Sequence, residues 1–199
     1  MRTRRKKRGL ERTKRKYTYG EFLVLYPCCV KSHQEEMMNF LQQVERPDYI
    51  GDYEVPSSLN TLTYGQLTDI RTAIDCEDPI AELLHIVIGA DYPQIYQFNA
   101  VDVFGVANFC KREIERINKI FSSIKVHYSS NEIAAGVKDL DFGPFGVLDW
   151  YAKRMGITNQ NEVRDIAWVR IYNCMKNDAE QNNYERRLRK QFQDSTKKK

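Results

Sequence analysis

Between Asn99 and Phe121 the apolar residues Val103, Val106, Ala107, Cys110, Ile114, Ile117 and Phe121 lie at offsets of 3, 4, 7, 11, 14 and 18 from Val103. At about 3.6 residues per turn that spacing keeps one stripe on one face for about five turns. A strand cannot use it, because successive side chains of a strand point to opposite faces. A chain built round such an element must lay other apolar elements along it. The expected fold class is therefore mostly α: a single helical domain with basic N- and C-terminal extensions and room for one short β-hairpin. Asn99 is placed to cap this helix, with Asp102 three residues on as in a capping box.

Other boundaries can be read the same way. Thr63 is a cap for a helix from Tyr64 to about Ile74. Asp78 followed by Pro79 is a start signal, and PIAELLHIVI then runs to a stop at Gly89. A short helix is expected near EIAAGVKDL, a turn at FGPFG, and a helix through VLDWYAKRM ending at Gly156. Asn159, with Glu162 three residues on, reads as the opening of the last helix. From Val163 to Met175 that helix is apolar round most of its circumference, which places it inside a fold or between chains. Past Lys176 only Ala179, Tyr184, Leu188 and Phe192 are apolar, and the last three lie four apart on a basic helix. The helix is expected to leave the body at about Met175.

Residues 19–62 carry weaker signals. EFLVLYPCCV is apolar and stopped by Pro27; it fits a short strand or one helical turn, the strand being the favoured reading, with IKVHYSS as a candidate partner for EFLVLY. Gln34 to Val44 look helical. RPDYIGDYEVPSSLN is rich in Pro, Gly, Asp and Ser and reads as a loop. The division that follows is a basic arm over 1–18, a mixed segment over 19–62, a helical body over 63–180 and a basic extension over 181–199.

Charge is segregated along this order. Residues 1–16 hold ten Lys/Arg (Arg2, Arg4, Arg5, Lys6, Lys7, Arg8, Arg12, Lys14, Arg15 and Lys16) against one acid, Glu11. Residues 186–199 hold seven against Asp194 alone, and the chain total of +4 leaves −11 on residues 17–185. An acidic body with basic ends is suited to meet an anion or the acidic surface of a neighbouring chain. The arm has one Leu and no apolar period, so it is expected to be disordered without a partner. Its ten cations form a candidate polyanion site, DNA or RNA through phosphates, since clustered Lys/Arg displace condensed counterions. A solubilising tail, a dock for an acidic protein and a nuclear-localisation signal fit the same letters. The candidate partner-docking residues are Tyr184, Arg186, Arg187, Leu188, Arg189, Lys190 and Phe192, expected to be a docking helix ordered only in a complex.

No pattern calls for chemistry, a metal or a cofactor. Cys28, Cys29 and His33 lack the second ligand pair that zinc commonly takes. The five cysteines are odd in number and scattered, which suggests reduced, buried thiols in a cytoplasmic setting. Asp141-Phe142-Gly143 has none of the other parts of a kinase site. Gly143-Pro144-Phe145-Gly146 lacks the lysine and hydroxyl of a phosphate loop. Asp75, Glu77 and Asp78 are explained as carboxylates at the positive end of a helix dipole. The most apolar windows, EFLVLY and LLHIVIGA, are too short to span a bilayer, and no apolar run of secretory length follows the basic start.

The stretch EIAAGVKDLDFGPFGVLDWYAKRMGITNQNEVRDIAWVRIYNCMKNDAEQNNYERRLRKQF resembles helical proteins of tailed bacteriophages, small morphogenesis proteins of the tail-assembly-chaperone or connector kind. The likeness covers roughly residues 59–192: an Ala-Gly-Val helix, a glycine-bounded turn, a short helix, then a long final helix ending in basic residues. It implies a non-enzymatic virion or assembly role, in the host cytoplasm or the particle, among other subunits. The long basic arm departs from the usual chaperone pattern and suits a protein that stays in the particle, near packaged DNA or between subunits. The alternative from the residues alone is a nucleic-acid-binding regulator with a helical dimer core.

Overall fold

The long stripe forms the central helix of a computed structural model that describes residues 16–196. This helix, α6 (Ala100–Ser122), buries Val103, Val106, Cys110 and Ile117 completely. Phe104, Gly105 and Phe109 widen the stripe, because other elements pack on both of its flanks. Asn99 does cap it, accepting from Val101 N at 2.9 Å.

Five helices precede it, α1 (Tyr19–Leu25), α2 (Lys31–Leu41), α3 (Tyr64–Thr72), α4 (Pro79–Ile88) and the single turn α5 (Tyr92–Ile95), and α1, α2 and α4 pack against it. Helices α3 and α4 start as the caps require: Thr63 and Gln66 form a capping box, Asp78 accepts from Ala81 N at 3.0 Å, and Gly89 ends α4 at φ +70°. A left-handed residue at that stop suits glycine, which has no Cβ to clash.

EFLVLY is helical, not a strand. Thr18 and Glu21 form a capping box that nucleates α1, and Tyr19 is buried against the core. The β-prone run is overruled by that local cap and by stitching of residues 17–20 to the chain before α6: Tyr19 N donates to Phe98 O (2.7 Å) and Gly20 N to Tyr96 O (2.9 Å). IKVHYSS is not a strand either. Its residues form no regular element and are held by a side chain instead: Asn183 donates to Lys125 O (2.7 Å) and accepts from His127 N (3.0 Å).

The one hairpin among the described residues lies inside the expected loop. Strands β1 (Tyr49–Ile50) and β2 (Tyr53–Glu54) pair antiparallel, Ile50 opposite Tyr53. Gly51 turns the corner at φ +57°, and a Cβ there would sit 2.8 Å from the Phe98 ring. The loop between α2 and β1 crosses α6 at Gly105, where a Cβ would meet Glu45 O at 2.4 Å. Asn108 ties that crossing down by donating to Leu41 O and Val44 O. Tyr19, Leu41, Ile50, Val55, Leu59 and Leu62 thus share one core with residues 63–180.

After α6 come α7 (Ser130–Ala134), α8 (Gly143–Met155) and α9 (Trp168–Thr196). FGPFG is the first turn of α8 rather than a separate turn, with Pro144 in the first helical positions, and Gly156 ends the helix. Asn159 caps only a 3-10 segment, Gln160–Asp165. The last helix begins later because the chain around Ala167 bridges to Thr63 before it: Tyr64 N donates to Ile166 O (2.8 Å) and Trp168 N to Leu62 O (3.2 Å). The apolar run from Val163 to Met175 is therefore split between a turn, an extended link and a helix.

Candidate docking surfaces

Helix α9 is rooted in the core by Trp168, 2% exposed, whose indole N–H donates to Leu59 O at 2.7 Å. Arg154 of α8 grips Asp178 through two nitrogens at 3.0–3.2 Å. Ala179, the next residue, and Asn183, just over one turn beyond it, are buried. Arg186 then meets Glu132 of α7, one of its nitrogens donating at 2.8 Å. That guanidinium, with the N–H and O–H groups of Ser129, holds the Glu132 carboxyl down at about 2. The helix thus stays on the body to Arg186, three turns beyond the expected departure at Met175, because Asn183 and Arg186 supply polar anchors where apolar ones run out.

The predicted docking residues consequently divide. Arg186 is engaged by Glu132, and Arg189 faces Glu185 within the helix at 3.5 Å. Arg187 and Lys190 have no ion pair among the described residues. Tyr184, Leu188 and Phe192 are 57%, 36% and 66% exposed. From Arg187 to Thr196 every residue is exposed, about 15 Å of helix at 1.5 Å per residue. Of the arm cations, Lys16 is exposed at its root, and Arg2, Arg4, Arg5, Lys6, Lys7, Arg8, Arg12, Lys14 and Arg15 lie outside the described residues.

A second surface is not signalled by any motif. Between α1, α4 and α5 runs a groove of about 710 Å³. Its floor is Tyr19, Tyr96 and the partly exposed Leu23 and Tyr92, and its rim is Glu77, Asp78 and Glu82. Tyr19 donates to Asp78 Oδ1 at 2.9 Å and stacks on Tyr96, centroids 6.0 Å apart and planes within 4°. Burial, then the hydrogen bond to Asp78, push the Tyr19 phenol far up. Tyr92 donates to Glu82, which lifts its phenol to about 12. No Lys or Arg lines the groove, and none of its three carboxylates joins an ion pair among the described residues. The dipole role expected of Asp78 is real, since it caps α4. Its second role, receiving Tyr19 from 59 residues away, has no sequence signature.

The thiols are not uniformly buried. Cys28 and Cys76 are exposed, Cys29 and Cys174 half-buried, and only Cys110 is enclosed, its thiol pushed up to about 12 by burial and then by Glu113. Among the described residues no three His, Cys, Asp or Glu side chains gather as a metal site would require. Asp141 accepts from Gly143 N at 2.8 Å, a turn contact leading into α8. No helix among the described residues is long and apolar enough to cross a membrane. No family model, curated protein or solved structure matches the chain.

Proposed function

We propose that the chain is a non-enzymatic structural or assembly protein of a bacteriophage virion, which docks on other subunits, and on packaged DNA, through its basic ends. The observation that carries the reading is the free end of α9. A helix anchored to the body as far as Arg186 holds Leu188 and Phe192 in solvent, with Arg187, Arg189 and Lys190 beside them. Isolated helices this short are marginal in water, and here the anchored turns supply the nucleus that the exposed turns extend. Buried in a partner, Leu188 and Phe192 would each contribute about 1.5–3 kcal/mol, the pattern of a helix laid in a groove. The phage assignment rests on the likeness of residues 59–192 to tail morphogenesis proteins.

The test replaces Leu188→Asp and Phe192→Asp together in cells that assemble the particle. Particles should fail to form or should lack the protein, while the purified variant keeps its melting temperature because both side chains are exposed. Normal particles containing the variant would refute the docking role. For the arm, affinity for duplex DNA should fall on the order of a thousandfold between 50 and 200 mM salt if six or more phosphates are contacted, and deleting residues 1–16 should remove most of it.

A further inference from the structure

We propose that the free end of α9 seats in the tyrosine-floored, carboxylate-rimmed groove of a second copy of this chain. The inference rests on α9's end being a docking element, as argued above, and names what it docks into.

The two surfaces are complementary in both kinds of chemistry. The helix end offers Leu188 and Phe192 flanked by Arg187, Arg189 and Lys190. The groove offers an apolar and aromatic floor, with Leu23 and Tyr92 still about two-fifths exposed, beneath Glu77 and Glu82, while Asp78 is turned inward to Tyr19 and Ala81 N. Apolar side chains go to the floor, and the cations of the helix end face Glu77 and Glu82, which join no ion pair among the described residues. Charge complementarity of this kind fixes register and excludes like-charged partners. A duplex DNA could use the cations, but it has no use for an exposed Leu and Phe between them and would be repelled by the acidic body around the groove.

Within one molecule the end of α9 does not line this groove. Asn183 and Arg186 fix α9 to residues 125–132, and the turns beyond continue as one helix, whereas no residue after Tyr96 lines the groove. A helix end of one copy in a groove of the next is a heterologous contact. Such contacts leave one free end and one free groove on every complex, so they close into rings or run on as filaments. That is the kind of order an assembly protein needs.

The experiment is sedimentation velocity on the full chain at low salt, across two decades of concentration. The wild type should self-associate. Leu188→Asp with Phe192→Asp, and separately Glu77→Lys with Glu82→Lys, should each weaken association at least about tenfold, equal to about 1.4 kcal/mol. Mixing the two variants should restore a 1:1 dimer that grows no further, because the pair retains one good helix end and one good groove. Circular dichroism confirms that both variants fold. If the double groove variant does not, Glu77→Lys alone, at an exposed position, replaces it. A monomeric wild type, association indifferent to the groove variant, or a mixture of folded variants that forms no dimer overturns the proposal. So does a helix-end variant that loses only DNA binding. If the helix-end variant spoils the particle and the groove variant does not, this inference falls and the docking role stands. If neither does, both fall.

Discussion

Replacing Trp168 with Phe should destabilise the chain by about 2–3 kcal/mol. Trp168 is where α9 joins the core, 2% exposed, and its N–H donates to Leu59 O at 2.7 Å. Phenylalanine cannot make that bond. Leu59 O would keep only the long 3.4 Å bond from Leu62 N, so the lower part of the usual 1–3 kcal/mol cost of a stranded buried acceptor applies, about 1–2 kcal/mol. The smaller ring leaves a void of about 40 Å³, worth about 1 kcal/mol at ~24 cal/mol per Å³. For a domain of this size the midpoint of thermal unfolding should fall by about 4–12 °C. Urea unfolding followed by the fluorescence of Trp150, the other tryptophan, gives the free energy directly, and the m-value should not change. Trp150→Phe is the control, since that side chain is only half-buried. A loss under about 0.5 kcal/mol at Trp168 would mean that the indole bond to Leu59 contributes nothing net, contrary to the cost of stranding a buried acceptor.

Gly105→Ala should cost about 1–2 kcal/mol in chemical denaturation, although the same change in an exposed helix gains nearly 1 kcal/mol, because the new Cβ meets Glu45 O at 2.4 Å and overpacking outweighs propensity. A stabilised variant would show that the crossing loop is free to shift. Tyr19→Phe should cost about 1–2 kcal/mol by removing a donor to a charged acceptor, Asp78, that is only partly enclosed; an unchanged melting curve would count against that bond. Glu132 sits below its ordinary value in the folded chain, so its pairing with Arg186 helps while pH is above about 4.5 and is lost as pH falls toward about 2. Amide protection around residues 125–132 and 183–186 should decline over that window, and in Glu132→Gln it should be weak at every pH. A pH-independent protection pattern in the native chain would remove the ion pair from the account.

What the sequence determined by itself was local. The 3.6-residue period of α6, the caps at Thr63, Asp78 and Asn99, and the stops at Gly89 and Gly156 are signals contained within a turn or two of helix. The box of Thr18 and Glu21 belongs to the same class and was legible, but the β-prone letters of EFLVLY hid it. Tertiary structure decided the rest, where hydrogen bonds join residues far apart in the chain. Asn159 and Glu162 spell a helix start, yet α9 waits for Trp168 because Thr63 captures Ala167 in a bridge just before it. The stretch 125–129 lies in no helix or strand and gains its partner from Asn183, a side chain on a helix, so strand-pairing rules could not find it. The end of α9 was visible as a thin apolar stripe on a basic helix. Where it leaves the body was not, because Arg186 meets Glu132 from 54 residues away. The groove was the least visible feature of all, since Tyr19, Asp78 and Tyr96 carry no shared period or spacing and come together only when α1 packs beside the start of α4.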